Sequence, residues 1–373
     1  MNQKPSSIAI YHIVLLLMTS IGLKNHVTII PHTIQAGGRD AWVSVILAFL
    51  LVLLWGLLVI YILKGTGQTN FYKWSQNNIG KKAGFMLSAT IYLYFILATA
   101  ATIKEMIIWT RVTYLPEVSP ILLVIVFTLV CFFLAMLTIG SIAITNTILL
   151  FFVIILGFFV AFTNLQVKDY SLLRPLFAEG YGPVLDGVIY PFSGFVEILM
   201  LVLLQTHSKK RLRYKHLIII ITILVILTLG PLIGAIIEFG PVEAARQHYP
   251  AYEEWGLVSL GRFFEHVDFF SIYQWLTGAF IRTSLFLFFM NELFQVKKAK
   301  SKAIFTAINM ILIIILLSLP ITDFEYFLLM KKYFLPANVY FYLLLSVLLA
   351  IITFISRRKQ GGTQGEAKKI PKA

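Results

Sequence analysis

Charge is scarce in this 373-residue chain: 13% of its residues are Asp, Glu, Lys or Arg, while 59% are hydrophobic. Ordinary soluble domains are about 25% charged, so a water-facing fold cannot hide this much apolar surface. Cysteine is nearly absent. Cys131 alone excludes an intrachain disulfide and a thiolate metal cluster, and its place in an apolar run reads as a plain buried thiol. The period-two alternation of a transmembrane β-barrel is missing as well. So are a glycine-rich phosphate loop, an HExxH helix and a nucleophile elbow, and the seven histidines are scattered without metal-ligand spacing. No enzyme, no cofactor and no metal site is therefore expected.

What the chain does have is apolar runs of twenty or more residues, the length needed to cross about 30 Å of hydrocarbon. Ten spans are expected, over 8–30, 41–63, 83–108, 118–137, 141–163, 184–205, 216–237, 264–292, 303–321 and 333–355. The first run continues into further membrane sequence, so it reads as a permanent span and not as a cleaved signal peptide. Only Thr138-Ile139-Gly140 separates the fourth span from the fifth. That run is too long for one crossing, which requires a tight hairpin. The fold class is thus an all-α polytopic membrane protein. Residues 1–360 form its transmembrane helical domain, and 361–373 form a disordered, basic cytoplasmic tail.

The net charge of +14 would suggest nucleic acid in a soluble protein. Here the cations sit in loops and the tail, where they set topology and meet anionic lipid, so no nucleic-acid partner is expected. Twenty Lys and Arg fall on one side of the expected spans and nine on the other. The positive-inside rule places both termini in the cytoplasm. The long outer segment 238–263, with Tyr249-Pro250-Ala251-Tyr252-Glu253-Glu254-Trp255, is amphipathic and aromatic, as a helix lying at the membrane interface would be.

Two spans are interrupted. In the first, Thr19-Ser20-Ile21-Gly22-Leu23-Lys24-Asn25-His26 places polar groups and a glycine inside the run, with Pro31 closing it. In the sixth, Tyr190-Pro191-Phe192-Ser193-Gly194-Phe195 sets a proline and a glycine three apart. Proline removes an amide donor and glycine permits non-helical dihedrals. Bare backbone at membrane depth is tolerated only where it lines a cavity or is packed in protein. Spans one and six begin the two halves of a five-plus-five arrangement and cross in opposite senses, as a LeuT-like inverted repeat requires. Paired broken helices point to a binding site near the midplane. A proline kink in span six and a polar cap in span one are the structural alternatives.

At such breaks freed amides can hold a carboxylate and freed carbonyls an ammonium, which suits a zwitterion such as an amino acid. The candidate ligand-binding residues are Thr19, Ser20 and Gly22 in span one, Thr99 and Thr102 in span three, and Ser193, Gly194 and Glu197 in span six. For each hydroxyl, the competing role is a bond to a carbonyl one turn earlier. Glu197, four residues after Ser193, is the deepest acid. Arg282 in span eight is too deep to snorkel and needs a partner, for which Glu197 is a candidate. Lys24, Lys104 and Glu105 read as lying near the outer surface.

These residues resemble a known family, the B subunits of the GerA-type nutrient germinant receptors of endospore-forming bacteria. These spore germination permeases belong to the amino acid/polyamine/organocation superfamily. The resemblance rests on the first broken helix ending in Pro31 and followed by Gly37-Gly38-Arg39-Asp40-Ala41-Trp42, on the Tyr190-to-Glu197 segment, and on the outer Tyr249-Pro250 stretch. Gly261-Arg262-Phe263-Phe264-Glu265-His266-Val267-Asp268 completes the set. It implies a ten-helix LeuT-like fold, a place in the spore inner membrane, A-type and C-type partner subunits, and the sensing of a small-molecule nutrient. It also implies pocket positions near Gly22, Thr99, Gly194 and Thr283. Three functions follow as competitors: a nutrient-sensing receptor subunit, an ion-coupled amino-acid transporter, and a water or ion pore.

Overall fold

The computed structural model describes residues 7–259 and 267–367. The Gly261-to-His266 part of the last motif, the N-terminal Lys4 and residues 368–373 of the tail lie outside them. Among the described residues the chain is helical and has no strand, only a single bridge between Ile8 and Ser208. The helices are α1 (Ile10–Leu23), α2 (Ile29–Gly37), α3 (Ala41–Thr66), α4 (Phe71–Ile79), α5 (Lys81–Thr113), α6 (Pro120–Met136) and α7 (Ile139–Thr163). There follow α8 (Gly182–Gly187), α9 (Ile189–Phe195), α10 (Leu201–Leu204), α11 (Tyr214–Phe239), α12 (Pro241–Ala244) and α13 (Pro250–Gly256). The last four are α14 (Phe270–Leu293), α15 (Ala299–Leu317), α16 (Asp323–Leu329) and α17 (Leu335–Ala367).

Among the described residues seven helical stretches are long and apolar enough to cross a membrane, and the first of them, 10–66, is 57 residues long. At 1.5 Å per residue that stretch is long enough for two crossings. It divides at Gly38, whose φ of 55° turns the chain in a way other residues resist. Adding the shorter apolar α6 and the more polar α14 gives ten crossings, at the places the sequence indicates. The expected hairpin between the fourth and fifth is present: Leu137 and Thr138 are extended, and the Thr138 hydroxyl accepts from the Ser141 amide at 3.2 Å.

Some boundaries differ from the hydropathy reading. Pro31 does not close the first span; it lies inside α2, and the helix runs on to Gly37. A proline near a helix start loses no bond that the π turn before it has not already displaced. The last span begins at Asp323, so Lys331 and Lys332 sit within a π turn of a helix and not in an outer loop. Its helix α17 is described to Ala367, past the point at 361 where the tail was expected to start.

The bundle is layered from inside to outside. The sixth crossing, 182–207, is the most enclosed of these stretches, with 83% of its most apolar part buried, against 17% for the stretch that holds α7. Helix α14 packs on α5, α1, α6 and α7, while α3 packs on α9, α11 and α17. Ile8 donates its amide to the His207 carbonyl at 2.7 Å and accepts from the Lys209 amide at 2.9 Å, tying the start of α1 to the loop after the sixth span. The outer segment does not simply lie flat at an interface. Helix α13 folds back onto α11 and buries Pro250, Glu254 and Trp255.

Candidate functional site

Both interruptions exist, as altered helical turns and not as extended backbone. In the first span α-geometry gives way at Lys24–Thr28 to a π turn, which widens the helix by one residue and carries Lys24, Asn25 and Thr28 buried. In the sixth it gives way at Val196–Met200 to a 3₁₀ turn, fully buried and holding Glu197. The helix α1, the π turn, α9 and the 3₁₀ turn meet at the centre of the bundle. Gly194 makes the meeting possible, because a Cβ there would run into the Asn25 side chain. Asn25 in turn donates to the Thr228 hydroxyl at 3.2 Å.

A charge cluster sits at this crossing. Arg282 of α14 grips Glu197 with both guanidinium ends, at 2.7 and 2.9 Å. Lys24 donates to the same carboxylate at 2.9 Å, and the Tyr94 hydroxyl does so at 2.9 Å. The carbonyls loosened by the altered turns are also used. The Ser20 carbonyl accepts from Arg282 at 2.7 Å, and the Ser193 carbonyl accepts from Lys24 at 3.0 Å and from Asn338 at 2.6 Å. Charges this deep persist only when paired and hydrogen-bonded. A bidentate guanidinium–carboxylate pair is the strongest form of that pairing.

Beside the cluster is a small polar cavity of about 20 Å³, lined by Lys24, Thr28, Thr102, Glu105 and Arg282, with Trp275, Met330 and Phe334 among its apolar walls. Thr102 accepts from Arg282 Nε at 3.1 Å while donating to the Ala98 carbonyl. Thr28 donates to Glu105 at 2.6 Å. Among the described residues no group of His, Cys, Asp and Glu is arranged to hold a metal ion.

The residues singled out from the sequence are distributed as follows. Thr102 faces this polar cavity and Glu197 anchors the cluster beside it. Thr19 and Gly22 line a second, larger cavity on the other face of α1. Thr19, Thr99 and Ser193 bond the carbonyls of Leu15, Phe95 and Tyr190, three or four residues back. Ser20 and Thr283 are buried with free hydroxyls and line neither cavity, and the space beside Gly194 is filled by Asn25.

Lys24 is a correction. It does not reach the outer surface: its side chain is 4% exposed and bonded to Glu197. With Pro31 taken as the end of the span, Lys24 sat near that end, but in a helix that runs from Ile10 to Gly37 it lies at the middle. Lys104 does sit at the periphery, donating to the Ile321 carbonyl at 3.3 Å, but Glu105 turns inward to the polar cavity. Tyr94 and Asn338 escaped notice in the sequence, and Asn25 was visible only as one polar group of the first interruption. A polar or hydroxyl-bearing residue inside an apolar run was their one signal, and it is a weak one.

Comparison with known proteins bears on this arrangement. The family described as Spore germination protein matches residues 8–324. The chain is 40% identical to Spore germination protein XB of Bacillus anthracis over 94% of its own length and 98% of that protein. It is 25% identical to Spore germination protein YndE of Bacillus subtilis (strain 168), over 78% of this chain and 80% of that one. It is likewise 25% identical to Spore germination protein A2 of the same strain, over 55% and 57%.

Proposed function

This chain belongs to the spore germination protein family, and on that premise we propose that it is the nutrient-sensing membrane subunit of a spore germinant receptor. The observation that carries this reading is a polar cavity in an otherwise apolar bundle, walled by the π turn of the first span, α5, α14 and the π turn before α17, beside a charge cluster that joins the two interrupted helices. The cluster beside it pairs two cations, Lys24 and Arg282, with one carboxylate, Glu197. A ligand carboxylate meets that cation excess, and a ligand ammonium meets Glu105 and the carbonyls at the two turns. The ligand is therefore a small zwitterion, an amino acid. Thr102 and Glu197 keep their assignment to the site, Thr19 and Gly22 face the larger cavity behind α1, and Ser20, Thr99, Ser193, Gly194 and Thr283 pack around the charge cluster.

A cavity of about 20 Å³ holds about one water, so binding has to widen it. Lys24 is the member of the cluster that can be redirected. Its ammonium is a point charge on a flexible stem, whereas Arg282 holds Glu197 with a rigid fork. Drawing Lys24 toward the ligand loosens the π turn from Glu197 and the Ser193 carbonyl, and the bundle takes a second packing. The ligand drives that shift only through its higher affinity for the widened state. The chain reads the shift out to A-type and C-type partners in the spore inner membrane, with both termini cytoplasmic.

An ion-coupled amino-acid transporter would use the same cavity for flux. Tracer uptake by proteoliposomes separates the two. A sensor binds labelled amino acid without accumulating it, and concentrative uptake would instead make the chain a transporter.

A further inference from the structure

On the face of α1 away from the charge cluster lies a cavity of about 490 Å³, lined mostly by apolar side chains. Leu23, Val27 and Trp275 wall it off from the polar cavity. Its outer end is roofed by α13 and the residue before it, with Tyr249 against Trp275 and Tyr252 against Trp109. Glu254, the carboxyl in this roof, is buried, and burial together with the Glu238 carboxylate holds it well above the usual carboxylate range. Lys168 at the rim is paired with Glu238 at 3.5 Å.

The cavity is open on one side. Helices α7 and α11 both pack on α1, yet they do not pack along each other. The gap between them is edged by Phe158 and Ile226, which are 60% and 63% exposed. In a bundle that crosses a membrane, side chains exposed at that depth face hydrocarbon. Glycines stand on both sides of the gap. Gly230 of α11 has nothing within 4 Å of where a Cβ would be, and Gly157 of α7 meets only Gln274 at 3.8 Å.

We infer that the acyl chain of a bilayer lipid enters between α7 and α11, fills this cavity and props α1 from behind. The cavity is continuous with the lipid-facing surface, roofed against the outer water and lined mostly by apolar side chains. An apolar volume of this size left unfilled would forfeit the contacts of its lining. The acyl chain would press on Gly22 and Leu23, the two residues before Lys24, so the bilayer and the polar site would act on opposite faces of one helix. This inference rests on the chain spanning a membrane and not on the nutrient assignment.

Tryptophan quenching tests it in full-length protein reconstituted in phosphatidylcholine vesicles. Trp255 and Trp275 line the cavity and are 3% and 5% exposed, so a brominated acyl chain reaches them only by entering. Bromination should quench part of the emission, and Gly157→Phe and Gly230→Phe, which fill the gap from opposite walls, should each remove that part. Aqueous iodide should leave it untouched. Either variant suffices if the other fails to fold. Quenching by brominated lipid that is unchanged in the filled variants would overturn the inference. So would iodide quenching that the filled variants abolish, since the cavity would then open to water and take a soluble ligand.

Discussion

Three side chains from three separate helices, Lys24, Glu197 and Arg282, hold the centre of this protein. Removing one partner of a buried pair strands the other, at a cost of about 3–5 kcal/mol. Here the costs should be unequal. Glu197→Gln strands two cations and should be the most damaging. Arg282→Gln leaves Glu197 with Lys24 alone. Lys24→Met leaves the bidentate pair intact and should be the mildest. Glu197→Gln combined with Arg282→Gln should cost less than the sum of the singles, read by thermal melting of purified protein as a double-mutant cycle. Additive losses would mean that the two groups do not interact. The need of Arg282 for an acidic partner was legible from depth alone. The share of Lys24 in it was not, because hydropathy ended the first span seven residues too early.

The elements that carry these residues are two helices with one irregular turn apiece. The sequence marked both places, at Thr19 to His26 and Tyr190 to Phe195; the first overlaps its π turn at Lys24–Thr28, and the second stops one residue short of its 3₁₀ turn at Val196–Met200. Tertiary partners decide where each turn falls. Asn25 bonds Thr228, Nδ1 of His26 bonds the Leu227 carbonyl at 3.1 Å, and Gly194 receives Asn25. No local pattern encodes such contacts. Gly194→Ala should therefore act by overpacking, with a loss of about 1–3 kcal/mol, and Asn25→Ala in the same protein should recover part of it. A Gly194→Ala protein that melts like the wild type would show that the two helices are not in contact there. The ten crossings, by contrast, were readable almost throughout, because a twenty-residue apolar run has few alternatives to a membrane helix. The π turn that absorbs Lys331 and Lys332 was hidden by their charge.

At the scale of the whole molecule, orientation follows from the distribution of Lys and Arg. The loop 206–215 should be cytoplasmic, and Lys210, which is exposed, is the place to test it. A cysteine there should resist an impermeant reagent in sealed cells and react once they are opened, with the buried Cys131 silent. Labelling in sealed cells would invert the topology. The central claim is that a zwitterion binds beside the charge cluster and shifts the bundle. Ligand that binds only the folded state stabilises it by about 2.7 kcal/mol at a hundredfold excess over Kd. The most direct measurement is the melting temperature of the purified protein against a panel of amino acids. At least one should raise it in a dose-dependent way in the wild type, and both Thr102→Val and Glu105→Gln should abolish the rise. A panel without effect, or a rise that survives in both variants, would contradict the claim.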